Sequence, residues 1–344
     1  MAAQPEFQEP IADRLKVRFV ALLNLKKRLA QPFRGITPRA QQPLLSADQI
    51  QVLAAELSGL AGSIPRNPKP SSALRQGEQT SRFMGNGLEY EESRPYQLGD
   101  EIRRINWRLM ARTGQAYTKL FQEERQEDWF ILLDQRMAMR FGTRVRLKAE
   151  QALRVAGYFL WLAEKAALNL PVEGARLAEE LVFTPTFIGR GSYTQMMQAF
   201  SQPCPPPAAK VSRIPEPTLN AVLNDLSQRL QPGSRLIMIS DFHDLDEACL
   251  ATLTALQQFA RVKAVCIEDA AERVLPAAEG VQLQSMVSGE PFELHGEALQ
   301  NYQVWAEAHL QDRLEKLQRV GVKVNRLLAD DSLQSLVEQL EWSA

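Results

Sequence analysis

Two apolar runs in the chain end in aspartate. WFILLD (129–134) closes on Asp134 and RLIMISD (235–241) closes on Asp241. Continuous hydrophobic stretches of this length mark strands covered on both faces. VKAVCIED (262–269) and VKVNRLLAD (322–330) repeat the pattern, and VEGARLAEELVFTP (172–185) predicts two short strands. Helical stripes separate these runs. Ala152, Leu153, Ala156, Phe159, Leu160, Ala163 and Ala167 form one, and Leu219, Val222, Leu223, Leu226 and Leu230 form another. Further helices are predicted over 192–201, 246–259 and 297–319, and Leu333, Leu336, Val337 and Leu340 form a last stripe. PCPPP (203–207) breaks the chain. Strands alternating with helices predict an α/β fold with a doubly wound, mostly parallel sheet. Sites in such sheets lie beyond the carboxyl ends of the strands, at the switch point in strand order. Asp134 and Asp241 are expected there.

Upstream the pattern changes. Residues 46–61 open with Ser46 and carry Ile50, Leu53, Leu57 and Leu60 at helical spacing, predicting a helix. GSIPRNPKPSSALRQGEQT (62–80) reads as a linker, and QAYTKLFQEE (115–124) as a strand. The expected organisation is a helical N-terminal region and linker over 1–80, a charged and aromatic block over 81–128, and the α/β domain over 129–344. The block contains GNGLEYEESRPYQLGDEIRRINWRLMARTG (85–114), too irregular for a surface helix and too aromatic for a linker.

Composition narrows the function classes. Hydrophobic residues are 45% of the 344 and charged residues 24%, enough for a sizeable core. A formal net charge of −1 provides no global field toward nucleic acid or anionic lipid. The three cysteines form no CxxC pair, which fits a reducing compartment. No apolar run reaches the roughly 18 residues of a spanning helix, and MAAQPEFQEPIADR lacks a signal peptide's apolar core. A cytoplasmic protein is expected. The basic amphipathic stretch VRFVALLNLKKRL (17–29) suits either a helix packed on its own domain or peripheral membrane contact. No GxGxxG follows a strand and no GxxxxGK[ST] occurs, so no nucleotide cofactor is expected.

The block resembles the conserved segment of the domain-of-unknown-function 58 (DUF58) family. Gly85, Gly87, Glu89, Tyr90, Arg94, Tyr96, Gly99, Asp100, Arg103, Ile105, Asn106, Trp107, Ala111 and Arg112 carry the resemblance, which continues through Asp134 to ISDF (239–242). It implies a fold similar to the von Willebrand factor type A domain and a MoxR-type AAA+ ATPase as partner in assembling or remodelling a client protein. It implies no enzymatic activity. Type A domains often hold Mg²⁺ through D-x-S-x-S with a Thr and an Asp from other loops. Here that motif reads Asp134, Gln135, Arg136, Met137, Ala138, with Thr194 and Asp241 as the remaining candidates. Mg²⁺ requires oxygen ligands in near-octahedral array, so a degenerate site without metal is expected. An internal ion pair of Arg136 with Asp134 or Asp241 is the alternative use of that geometry.

Two readings of the block remain side by side. In one it is a self-satisfied lid, with Arg94, Arg103 and Arg112 paired to Glu89, Asp100 and Glu124, and with Tyr96 and Trp107 supplying apolar area. In the other, Arg103, Arg104 and Arg108 at near-helical spacing form one basic docking face for a protein partner. Gly87, Gly99 and Asp100 suit tight turns in either case. Basic residues and acids match in number there, so nucleic acid is not an expected partner. The rival function is a metal-dependent enzyme using Asp134, Asp241 and His243. It lacks an evident nucleophile, since no GxSxG occurs and Cys249 and Cys266 fall in an apparent helix and strand.

Overall fold

In a computed structural model, the described residues are 42–60, 89–97, 102–122, 128–165, 170–205, 216–275, 282–284, 291–293 and 297–340. The basic stretch 17–29, the linker 62–80, Gly85, Gly87, Gly99, Asp100 and His295 lie outside them. Among the described residues no helix is long and apolar enough to cross a membrane.

The larger unit is a six-stranded sheet between two helical layers. Its strands are β3 (Trp129–Asp134), β4 (Val172–Leu177), β5 (Leu181–Phe183), β6 (Arg235–Ser240), β7 (Arg261–Glu268) and β10 (Lys323–Leu328). They lie in the order β10-β7-β6-β3-β4-β5, parallel except for β4 with β5. A short ribbon of β8 (Gln282–Gln284) and β9 (Pro291–Glu293) stands apart from the sheet in the pairing. The six-stranded, mostly parallel sheet agrees with the expected α/β class.

β3 shows why the sheet sits where it does. All six of its residues are buried. Trp129, Ile131 and Leu133 face one helical layer, and Phe130 and Leu132 face the other. The first layer holds α1 (Ala47–Gly59), α3 (Lys148–Lys165), α4 (Ser192–Phe200) and α8 (Leu333–Gln339). The second holds α5 (Leu219–Arg229), α6 (Glu247–Leu256) and α7 (Glu297–Arg319).

α3 buries fourteen of its eighteen residues, so it is covered on most of its circumference. The sheet covers one side, and α1 and α4 cover the rest. Gly157 is the point of closest approach: a Cβ there would lie 3.0 Å from Leu53 Cδ2 of α1 and 3.2 Å from Met197 Cε of α4. α1 is therefore part of the sheet's own core. A capping box of Ser46 and Gln49 starts it. The chain leading into it is held by Leu45 N donating to Ser201 Oγ (2.8 Å) and Ser201 Oγ donating to Leu45 O (2.6 Å). Tyr193 Oη donates to Ile50 O at 3.1 Å.

The smaller unit is a hairpin with a helix inserted in its connection. β1 (Glu89–Pro95) pairs antiparallel with β2 (Tyr117–Gln122). Between them a 3-10 turn (Ile102–Arg104) leads into α2 (Trp107–Thr113). Asn106 starts α2: its Oδ1 accepts from Leu109 N at 3.1 Å. Its Nδ2 donates to Ser93 Oγ at 3.0 Å and its backbone N donates to Tyr117 O at 2.7 Å, so one residue fastens the helix to both strands. Gly114, at φ 73°, ends the helix in the left-handed region. The strand at 89–95 and the separate helix at 107–113 are findings that hydrophobic periodicity did not predict.

Gly174 of β4 tests the packing. A Cβ there would meet Phe200 Cζ at 2.6 Å and Ile131 O at 2.7 Å. Gly174→Ala is expected to lower stability by about 1–3 kcal/mol. Gly59→Ala, where nothing lies within 4 Å, serves as the control, read by urea unfolding of both variants. Equal midpoints would contradict this packing.

Candidate functional site

The chain runs from β3 outward to β4 on one side, while β6 and β7 lie on the other, so the switch point falls between β3 and β6. Asp134 ends β3 there, and Ser240 and Asp241 end β6. Ser240 Oγ donates to Asp134 Oδ2 at 2.6 Å, tying the two strand ends together.

Arg136 fills the space between the loops. It is buried, at 1% exposure. Its Nε donates to Asp134 Oδ1 (3.1 Å) and its Nη2 to Asp134 Oδ2 (2.8 Å). Nη2 also donates to Asp244 Oδ1 (2.9 Å), and Nη1 donates to Asp244 Oδ2 (2.6 Å) and Pro217 O (3.2 Å). The five N–H bonds of the guanidinium thus all have acceptors. Burial opposes its charge, but Asp134 and Asp244 outweigh that and raise its pKa. Asp244, its own carboxyl held below the usual range by Arg136 against the opposing effect of burial, also accepts from Leu219 N at the start of α5 (2.9 Å). The internal pairing of Arg136 is therefore with Asp134 and Asp244; Asp241 takes a different cation.

That cation is Lys148, the first residue of α3 and fully buried. Its Nζ donates to Asp241 Oδ2 at 2.8 Å and to Glu272 Oε1 at 2.5 Å. Burial works against the ammonium, but the two carboxylates prevail and raise its pKa. Burial likewise opposes the Asp241 carboxylate, which Lys148 and His243 hold well below the ordinary range. His243 Nδ1 lies 2.8 Å from Asp241 Oδ1. Its pKa is raised above 6.5, because Asp241 overcomes the effect of burial. From α7, Arg313 Nη1 donates to Asp241 O at 2.6 Å. Glu272 Oε2 accepts from Asp269 N, and Asp269 Oδ2 accepts from Thr143 N, both at 2.8–2.9 Å. The three rim loops after β3, β6 and β7 are joined in one polar network.

The turn that aims Asp241 and His243 is unusual. Phe242 between them has φ 53°, in the left-handed region that a bulky residue adopts only under constraint. Its ring is wholly buried in the second core layer. Phe242 N donates to Ser240 Oγ at 3.0 Å.

The donors do not suit Mg²⁺. Ala138 is buried and offers no oxygen, and both switch-point aspartates already hold protein cations. Thr194, expected as a second-loop hydroxyl, sits on α4 instead. Its Oγ1 accepts from Gln51 Nε2 of α1 at 3.5 Å, because α4 packs in the helical layer. Thr143 is the threonine at the rim. Among the described residues no group of three His, Cys, Asp or Glu is placed to hold a metal. All three cysteines are buried, and burial pushes their thiols up, Cys204 to about 11 and Cys249 and Cys266 to about 12. They are protonated at neutral pH and poor nucleophiles.

The block presents a different surface. Arg103, Arg108 and Arg112 are exposed, as are Ile102 (65%) and Trp107 (59%). Arg103 and Arg104 lie in the 3-10 turn and Arg108 on α2, so the expected single helical face is two elements joined at the Asn106 cap. Arg94 Nη1 donates to Pro95 O at 3.3 Å, and Tyr96 is half-buried. The side chains of Glu89 and Arg104 and the whole of Asp100 and Glu124 lie outside the described residues.

Sequence reasoning missed Lys148, Glu272, Asp244 and Ser240. None of them carries a signal: Lys148 in LKAEQALRV opens a helix in which Glu150, Gln151 and Arg154 follow closely.

A family model described as a protein of unknown function, DUF58, matches residues 92–313, well over half of the chain. Uncharacterized proteins of Mycobacterium bovis and Mycobacterium tuberculosis are each 25% identical over 291 residues, spanning 79% of this chain and 89% of theirs. Among solved structures, the conserved hypothetical protein BatB from Bacteroides thetaiotaomicron is similar, with a TM-score of 0.41 and 14% identity. The match covers 62% of this chain and 97% of that one. An aerotolerance-related membrane protein from Bacteroides fragilis gives 0.40, 15%, 62% and 97% respectively.

Two tests follow from the rim. Arg136→Met leaves Asp134 and Asp244 buried without a cation, at a cost of about 3–5 kcal/mol in urea unfolding. A cost near zero would contradict the network. His243 has a raised folded-state pKa, so its contribution is complete below the unfolded value and lost as pH rises through the folded one. His243→Asn should therefore destabilise more at about pH 5 than at about pH 9.

Proposed function

The chain belongs to the DUF58 family, and on that premise we propose that it is a non-enzymatic protein-interaction module with a von Willebrand factor type A-like domain. A MoxR-type AAA+ ATPase is the partner, supplying the energy of ATP for work on a client protein. The observation that carries this reading is the surface around Asn106. Ile102 and Trp107 are exposed side by side with Arg103 and Arg108, and α2 buries none of its residues. Exposed tryptophan beside arginine is the composition of an interface anchor. The partner surface complementary to it is acidic with an apolar pocket.

The charge pairing at the rim supports the same reading independently. Asp134, Asp241 and Asp244 are engaged by Arg136 and Lys148, and carboxylates held in ion pairs are poorly disposed to general acid–base chemistry.

Trp107→Ala and Arg108→Glu are expected to abolish capture of the ATPase from native extract by the tagged protein. The midpoint of thermal unfolding should stay where it is. A lowered midpoint with capture intact would assign the block a structural role instead. Calorimetric titration with Mg²⁺ and Mn²⁺ is expected to show no saturable heat, and micromolar binding abolished by Asp134→Ala would favour a metal-dependent activity.

A further inference from the structure

The larger unit holds one fully buried lysine, Lys148, and one half-buried lysine, Lys263, and their surroundings are opposite. Lys148 at the carboxyl end of the sheet is clasped by two carboxylates. Lys263 lies toward the amino end, on β7. There the register places Arg235, Arg261, Lys263 and Lys323 on one face of three adjacent strands. Side chains two residues apart share a face, and partners in register lie side by side. The Lys263 side chain runs over the Phe159 ring of α3, with Nζ 5.5 Å from its centroid. Nζ donates to Leu340 O at 3.3 Å. Among the described residues, Lys263 makes no ion pair. Together with Lys323, Gln318 and Asn325 it lines a cleft of about 380 Å³.

We propose that the Lys263 amine is a carbamylation site for carbon dioxide. The amine lone pair forms an N–C bond to the carbon of CO₂. One C=O electron pair moves onto oxygen, and a proton leaves the nitrogen for water. The product is R–NH–COO⁻ plus H⁺, with no change of oxidation state. Three features favour it. The attacking species must be neutral, and burial, then Arg235 and Lys323, bring the pKa of this amine down to about 8. Ordinary lysines stay charged well above that. Reaction also reverses the local electrostatics: a cation held beside two cations becomes an anion beside them. Finally, the carbamate nitrogen keeps one N–H, so the bond to Leu340 O survives, and the cleft has room for a carboxylate-sized group.

The test uses the full-length protein equilibrated with ¹³C-bicarbonate, alkylated with a trialkyloxonium salt to trap carbamates, and mapped by peptide mass spectrometry. Trapped label on Lys263 is expected to exceed that on other lysines by on the order of tenfold or more at about pH 8. It should fall as the pH is lowered, disappear in Lys263→Arg, and lose its preference in protein unfolded with urea before equilibration. No label at Lys263, or label spread evenly over the lysines of the folded protein, would overturn the assignment. The folded and unfolded wild-type samples decide the matter even if the substitution disturbs folding.

Discussion

The geometry of the sheet's carboxyl edge depends on the guanidinium of Arg136. In water its charge is easily solvated. Buried at the switch point, it persists because each N–H meets an acceptor and two aspartates neutralise it. The same bonds hold the loop after β3, the loop after β6 and the start of α5 in a fixed arrangement. Lys148 does the corresponding work one loop further on, linking α3, β6 and β7 through Asp241 and Glu272. The region where an α/β sheet ordinarily receives a ligand is thereby occupied by the protein's own cations.

On the proposed reading, this arrangement bears on where a partner would dock. A rim whose Asp134, Asp241 and Asp244 are held by buried cations offers rigidity, and an already ordered surface loses less entropy on association. The hairpin unit complements it with exposed side chains of the kind that anchor interfaces. Asn106 connects the two properties within that unit. Its side chain starts α2 and holds β1, and its backbone holds β2, so Ile102, Arg103, Trp107 and Arg108 project from a braced element.

Much of the fold was legible in the residues. β3 and β6 announced themselves as apolar runs ending in aspartate, since a strand covered on both faces needs apolar side chains in both directions. The long helix at 297–319 was readable from its pattern, and the last helix from the stripe Leu333, Leu336, Val337 and Leu340. The placement of Asp134 and Asp241 at the switch point followed from strand topology. The inserted helix α2 was not legible, because it owes its existence to a cap and a left-handed glycine and shows no apolar periodicity. Nor was the role of α1. Its stripe predicted a helix, but only the packing of Leu53 against Gly157 of α3 shows that α1 completes the core.

By itself, the sequence determined the alternating architecture, the two acidic strand ends and the presence of Arg136 and Ala138 just after the first of them. Periodicity and residue type are local properties, and a linear reading recovers them. The tertiary structure alone decided which charge meets which. Arg136 finds Asp244 across 108 positions and Lys148 finds Glu272 across 124. It placed Thr143 at the rim where Thr194 had been expected. It also set Lys148 among carboxylates and Lys263 among cations. Long-range pairing of buried charges is settled by the order of strands and the covering of helices, and neither is encoded in the spacing of the charged residues themselves.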